Sequence, residues 1–173
     1  SDYAAQRPNA IYHAGCRDIW QLPCQIALPC ATQNELDADA ARTLIKNGCF
    51  AVAEGAKEKG AEAELITAGL FSADALDSYD AVAFGCPAMG AEQLEESEFE
   101  PMFSDLEGSL NGKKIALFGS YGWGDGQWMR DWVERAQGDG AQVLNGEGLI
   151  CNEAPDEDVQ AACRKLGADL AAW

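Results

Sequence analysis

At 173 residues the chain is long enough to close one hydrophobic core without disulfides or metals. Its 29 acidic residues against 12 basic ones give a net charge of −17, which argues against nucleic acid and anionic membranes and would draw in a basic partner. No apolar run approaches the roughly eighteen residues of a membrane span, and the first residues are polar, so neither a transmembrane helix nor a signal peptide is expected and the default compartment is the cytoplasm.

The seven cysteines, at positions 16, 24, 30, 49, 86, 151 and 163, form no CxxC pair and no metal-site spacing. They read as reduced thiols that pack as small apolar residues, and no metal site is expected. The charge is unevenly spread: residues 1–56 hold six acids and four bases, residues 57–173 hold 23 acids and eight bases. Whatever the acidity serves belongs to the second part.

Residues 1–25 are irregular, with Arg7-Pro8-Asn9 and Ala14-Gly15-Cys16 as turn signals. Residues 26–31 have the pattern of a short buried strand in which Pro29 favours an edge or an end. Asp37 or Asp39 is placed to cap a helix that Asn47-Gly48 terminates.

Residues 52–59 are expected to be helical and to stop at Gly60, and residues 63–66 to form a short strand. Residues 81–85 read as a buried strand. The acidic segment 95–107 reads as a helix that Pro101 breaks or offsets. Residues 114–118 form the next strand, followed by a glycine-rich loop and a helix over 126–137, whose core face is Trp128, Met129, Trp132, Val133 and Ala136. Residues 141–144, resuming at 148–151, make the last strand. Pro155 with Asp156, Glu157 and Asp158 opens a final helix with Val159, Ala162, Cys163, Leu166 and Leu170 on one face. Strands alternating with helices predict a parallel sheet covered on both sides.

Within this frame the stretch from Gly119 to Trp132 stands out. Its glycines permit positive φ and close approach to a flat ligand. The helix face accounts for Trp128 and Trp132 and leaves Trp123 as an aromatic without a structural role. The alternative is that Trp123 plugs the loop into the core. A planar aromatic ligand is the natural match for it.

Gly119-Ser120-Tyr121-Gly122-Trp123-Gly124-Asp125-Gly126 resembles the second flavin-clasping loop of short-chain flavodoxins. Tyr79-Asp80-Ala81-Val82-Ala83-Phe84-Gly85-Cys86-Pro87-Ala88-Met89-Gly90-Ala91-Glu92, with the acidic stretch that follows, resembles the family's strand and first isoalloxazine loop. The resemblance covers about residues 52–173. It implies an open parallel sheet in the order 2-1-3-4-5 with helices on both faces, and an FMN site where the winding reverses, a placement for which flavodoxin with FMN is itself a standard example.

It further implies that FMN is held by Ala88, Met89, Gly90, Ala91 and Glu92 on one loop and by Gly119, Ser120, Tyr121, Gly122, Trp123 and Gly124 on the other. Met89 and Trp123 would flank the ring, Glu92 would accept from its imide N–H, and amides of residues 120–124 would reach the pyrimidine oxygens. The peptide after Gly90 would turn over when the flavin gains an electron and a proton, which glycine makes inexpensive. Ala91 departs from the acidic or polar residue common in the family and would tune that movement. The implied function is a low-potential one-electron carrier, not an enzyme, serving redox partners with basic docking surfaces. No catalytic triad or paired acid and base is present.

Residues 1–56 carry a second likeness. Ile26-Ala27-Leu28-Pro29-Cys30-Ala31-Thr32-Gln33-Asn34-Glu35-Leu36 and Asn47-Gly48-Cys49-Phe50-Ala51-Val52-Ala53-Glu54-Gly55-Ala56 resemble part of the nucleotide-binding domain of NADP-type glutamate dehydrogenases. The chain therefore reads as a hybrid joined near residues 51–56, forming a single flavodoxin-like domain over 1–173 whose first strand and residues 1–50 are atypical.

The join replaces the T/S-G-T-G-N-T loop with which flavodoxins hold the FMN phosphate. Thr32-Gln33-Asn34-Glu35-Leu36-Asp37 stands there, without glycines and with two acids that repel phosphate. The alternative function is accordingly a non-redox scaffold of the same fold that has lost FMN. A nicotinamide-dependent dehydrogenase is a poor third reading, because no GxGxxG fingerprint follows a strand.

Overall fold

The computed structural model describes residues 51–153 and 155–173. The expected strand over 26–31, the helix after Asp37 and the Thr32 to Asp37 segment lie outside the described residues. Ala51–Trp173 is a compact unit in itself.

Its helices are α1 (Ala51–Glu58), α2 (Ala73–Leu76), α3 (Phe99–Leu106), α4 (Gln127–Gly138) and α5 (Glu157–Ala172). The strands are β1 (Ala81–Gly85), β2 (Lys114–Tyr121), β3 (Gln142–Val143) and β4 (Leu149–Asn152). All are parallel: β2 is central, β1 pairs along one side from Ala81↔Lys114 to Gly85↔Phe118, and β3 and β4 share the other side. β3 and β4 act as one strand interrupted by the turn at Leu144–Gly146, where Asn145 takes φ 60.

Side-chain alternation along β1 and β2 divides the core into two layers. Val82, Phe84, Ile115 and Leu117 face α3 and α4. Ala81, Ala83, Ala116 and Phe118 face α5 and Val52 of α1. Helices thus cover both faces, as the alternating pattern predicts. The first layer holds an aromatic cluster: Trp132 meets Phe99 and Phe103 edge-on at centroid distances of 5.3 and 5.5 Å, and Phe103 meets Phe84 at 5.5 Å. Such pairs add roughly 0.5–1.5 kcal/mol each beyond the area they bury. Arg135 of α4 bridges to Glu100 and Glu107 over the Phe103 ring and ties α4 to α3.

Several boundaries differ from the sequence reading. Residues 63–66 form no strand, because a strand exists only as one side of a ladder and this segment pairs with nothing among the described residues. Of the expected order 2-1-3-4-5, the described ladder supplies the 3-4-5 half. The acidic helix starts at Phe99 rather than Glu95, and Pro101 sits in its first turn, where an amide has no intrahelical acceptor to lose. Glu95 serves instead as a cap, its carboxylate accepting from the amides of Ser97, Glu98 and Phe99 at 2.8, 2.8 and 3.0 Å. β2 extends through Tyr121, so Gly119, Ser120 and Tyr121 belong to a strand that pairs with Ile150, Cys151 and Asn152 of β4.

Candidate functional site

Two loops leave the carboxyl ends of adjacent parallel strands, residues 86–94 after β1 and residues 122–126 after β2. The ladder holds their bases together. Cys86 N–H donates to the Phe118 carbonyl at 3.1 Å and Ala88 N–H to the Ser120 carbonyl at 2.8 Å, so the first loop follows β2 for two residues beyond β1. Ala88 is half-buried against the main core. Its neighbour Cys86 is 2% exposed, and burial pushes its thiol up to about 11, so it packs as an apolar group.

Beyond Ala88 the first loop closes on itself. Met89 and Gln93 exchange N–H···O bonds of 2.8 and 2.9 Å, a tight antiparallel bridge that projects Gly90, Ala91 and Glu92. Gly90 has φ 50 with open space where a Cβ would stand, so the backbone conformation rather than crowding calls for glycine. Met89 is 46% exposed.

In the second loop Trp123 is 63% exposed, whereas Trp128 and Trp132 are 2% and 1% exposed inside α4's core face. The plug reading of Trp123 is therefore excluded: its indole faces solvent. Tyr121, by contrast, leans on the Trp128 ring at 5.6 Å and joins the core, so its side chain anchors the loop rather than forming its surface. The amides of Gly122, Trp123 and Gly124 donate to nothing among the described residues. Arg130 braces the loop's far end, donating to the Asp125 carbonyl at 2.9 Å and carboxylate at 2.7 Å.

The residue joining the two loops is Glu92. It takes φ 53, and its Oε1 accepts from the amides of Asp125, Gly126 and Gln127 at 3.2, 2.9 and 3.2 Å. This carboxylate caps α4 from 33 to 35 residues away, where Gly126 in the N-cap position offers no side chain of its own. Gly124 gives it room, since a Cβ there would lie 2.4 Å from the carboxylate. Sequence reasoning, which expects Glu92 to be a ligand acceptor or else a solvated loop acid, misses this cap because its partners are distant in the chain.

Beside the clasp a cavity of about 430 Å³ runs between the segment 92–100 and α4, walled by Glu92, Glu96, Glu100, Trp128, Asp131 and Trp132 among others. Met89 and Trp123 take no part in it, so the two exposed faces belong to an open clasp. No group of three or more His, Cys, Asp or Glu side chains among the described residues is arranged to hold a metal. No helix among them is long and apolar enough to cross a membrane.

The donor set suits a flat heteroaromatic ring. Two exposed apolar faces lie on adjoining loops with three amides and one carboxylate oxygen that have no partner among the described residues. That chemistry fits the isoalloxazine ring of a flavin, whose edge carries carbonyl oxygens and an imide N–H.

Comparison with known proteins identifies the family. The family pattern described as Flavodoxin matches residues 49–167, and that of the Glutamate/Leucine/Phenylalanine/Valine dehydrogenases matches residues 1–71. A flavodoxin of Clostridium beijerinckii is 45% identical over 120 residues, spanning 69% of this chain and 86% of its own. The solution structure of two-electron reduced Megasphaera elsdenii flavodoxin superposes with a TM-score of 0.65 at 41% identity, covering 71% of this chain and 87% of that one. The NADP-specific glutamate dehydrogenase of Salmonella typhimurium is 76% identical over 56 residues, 32% of this chain but only 12% of the enzyme, so the dehydrogenase portion is a short fragment on a hybrid chain. The chain belongs to the flavodoxin family.

Proposed function

We propose that the protein is an FMN-binding, low-potential one-electron carrier of flavodoxin type. The observation that carries this reading is the pair of exposed apolar side chains, Met89 and Trp123, on two loops that Glu92 fastens together. A tryptophan left 63% exposed, beside three amides that find no acceptor among the described residues, is an unfavourable surface unless something flat stacks on it.

In this reading Ala88, Met89, Gly90, Ala91 and Glu92 hold one side of the ring, and Gly119, Ser120, Tyr121, Gly122, Trp123 and Gly124 the other. Met89 and Trp123 supply the two faces. The Gly122 to Gly124 amides donate to the pyrimidine oxygens, and Glu92 accepts the imide N–H. Gly119 and Ser120 act through the strand end that sets the loop's height, and Tyr121 through its packing on Trp128. Bound FMN supplies the one-electron chemistry. The protein excludes water from the ring faces, and with 23 acids in residues 57–173 its surface raises the energy of added negative charge, which favours a low potential. Gly90 carries no side chain to hinder a reorientation of its peptide that would present the carbonyl to a flavin N–H. The same acidity suits redox partners with basic docking surfaces in the cytoplasm.

The test is a titration of flavin-free protein with FMN and with riboflavin, following flavin fluorescence. Quenching by either ligand, weakened in Trp123→Ala, is the expected result. FMN binding tighter than riboflavin locates a phosphate site on the hybrid chain. Equal binding assigns the affinity to the ring clasp alone. Absence of quenching by both overturns the flavin reading.

A further inference from the structure

We infer that Glu92 is a latch that shapes the flavin clasp before any ligand arrives. Three facts converge on it. The residue accepts φ 53, a conformation that costs a side-chain-bearing residue roughly 1–2 kcal/mol. One carboxylate oxygen gathers three successive amides at the start of α4, at 2.9 to 3.2 Å. Gly124 has φ 88 and lies so close to the carboxylate that any side chain there would displace it.

The strained backbone at Glu92 and the glycine at position 124 both serve one contact. That contact fixes where residues 122–126 leave β2 and so where the Trp123 indole stands. It also offers negative charge to the positive end of a 12-residue helix that lacks a capping side chain of its own. Oε2 accepts no hydrogen bond among the described residues, so the carboxylate has an oxygen left over. Glu92 is thus a positioning residue through Oε1 and a ring contact through Oε2. The first role stands on the protein alone, and the second rests on the flavin reading above.

The roles separate in flavin-free protein. Amide hydrogen exchange, read by NMR for the whole chain, is compared among wild type, Glu92→Ala and Glu92→Gln. The amides of Asp125, Gly126 and Gln127 are expected to exchange about tenfold faster in Glu92→Ala, the scale of a charge-assisted hydrogen bond. Glu92→Gln keeps an oxygen acceptor and guards against a misfolded alanine variant; in it the same amides speed up by a smaller factor. The Leu117 amide, deep in β2, keeps its wild-type rate. If the three amides exchange at wild-type rates in both variants, or speed up no more than Leu117 does, the latch is overturned. If the exchange pattern holds while wild-type protein quenches neither FMN nor riboflavin, the latch stands and the flavin reading falls.

Discussion

Gly119 lies directly beneath the carbonyl of Cys86: a Cβ built on it would stand 2.1 Å from that oxygen and 3.2 Å from the Trp128 ring. This is the point where β1's exit runs on beside β2: the first clasp loop starts at Cys86 and the second three residues after Gly119. Relief requires backbone movement, because neither contact is the free end of a flexible chain. Gly119→Ala is expected to destabilise the fold by about 1–3 kcal/mol, the range for overpacked sites. It should also weaken FMN and riboflavin binding by the same factor, since it spreads the loops without touching phosphate. Urea denaturation and the two flavin titrations measure both effects, and wild-type stability in the variant would remove this contact from the account.

The two groups of tryptophans make opposite predictions. Trp132 is 1% exposed and meets two phenylalanines edge-on, so Trp132→Ala should cost about 3–5 kcal/mol. Trp123 is 63% exposed, so Trp123→Ala should change stability by no more than about 0.5 kcal/mol. Its flavin affinity should fall about tenfold, the upper scale of one stacking contact. A Trp123→Ala protein as unstable as Trp132→Ala would show the indole to be structural after all.

This division was readable in the sequence, because helical spacing from Trp128 to Ala136 accounts for one set of apolar residues and leaves Trp123 over. The course of β1 and the stop signal at Gly60, two residues past the end of α1 at Glu58, were readable for the same reason, periodicity and punctuation being local. What escaped the sequence lies between distant residues. Glu92 caps a helix that begins 35 residues later, and nothing near Glu92 announces it. Residues 63–66 have the composition of a strand, but a strand is decided by its partner. Glu95 falls inside the segment 95–107 expected to be helical with an offset at Pro101, whereas the helix starts at Phe99 and Glu95 is its cap.

Glu95 gives the fold a defined acid sensitivity. Partial burial raises its pKa, but the amides of Phe99, Glu98 and Ser97 outweigh that and hold it at about 2, below the ordinary 4.5. A carboxylate with a lowered folded pKa stabilises fully above its unfolded value and loses that contribution as pH falls toward the folded one. Because the cap is near the surface, about 1–2 kcal/mol is the appropriate scale at pH 7. Glu95→Ala should therefore be less stable than wild type by that amount at neutral pH. The gap should narrow between pH 4.5 and 2 and close below it, as read from urea midpoints across that range. A gap that does not change with pH would assign the loss to packing instead of charge.

Two glycines inside helices provide the sharpest sign test. A Cβ on Gly167 of α5 would lie 1.8 Å from the Val52 carbonyl, and one on Gly55 of α1 would lie 1.8 Å from the Arg164 carbonyl. Each glycine admits the other helix's backbone, so α1 and α5 cross at closer range than side chains permit. Intrinsic helix propensity predicts that alanine at either position stabilises by about 1 kcal/mol. The crossing predicts the reverse, a loss of about 1–3 kcal/mol. The eight described residues of α1 are held by their partner, so either substitution should detach them. Once it is detached the second glycine has nothing left to accommodate, and the double variant should lose less than the two single losses added together. Denaturation of Gly55→Ala, Gly167→Ala and the pair decides the matter: stabilisation in the single variants refutes the close crossing, and full additivity refutes the shared contact.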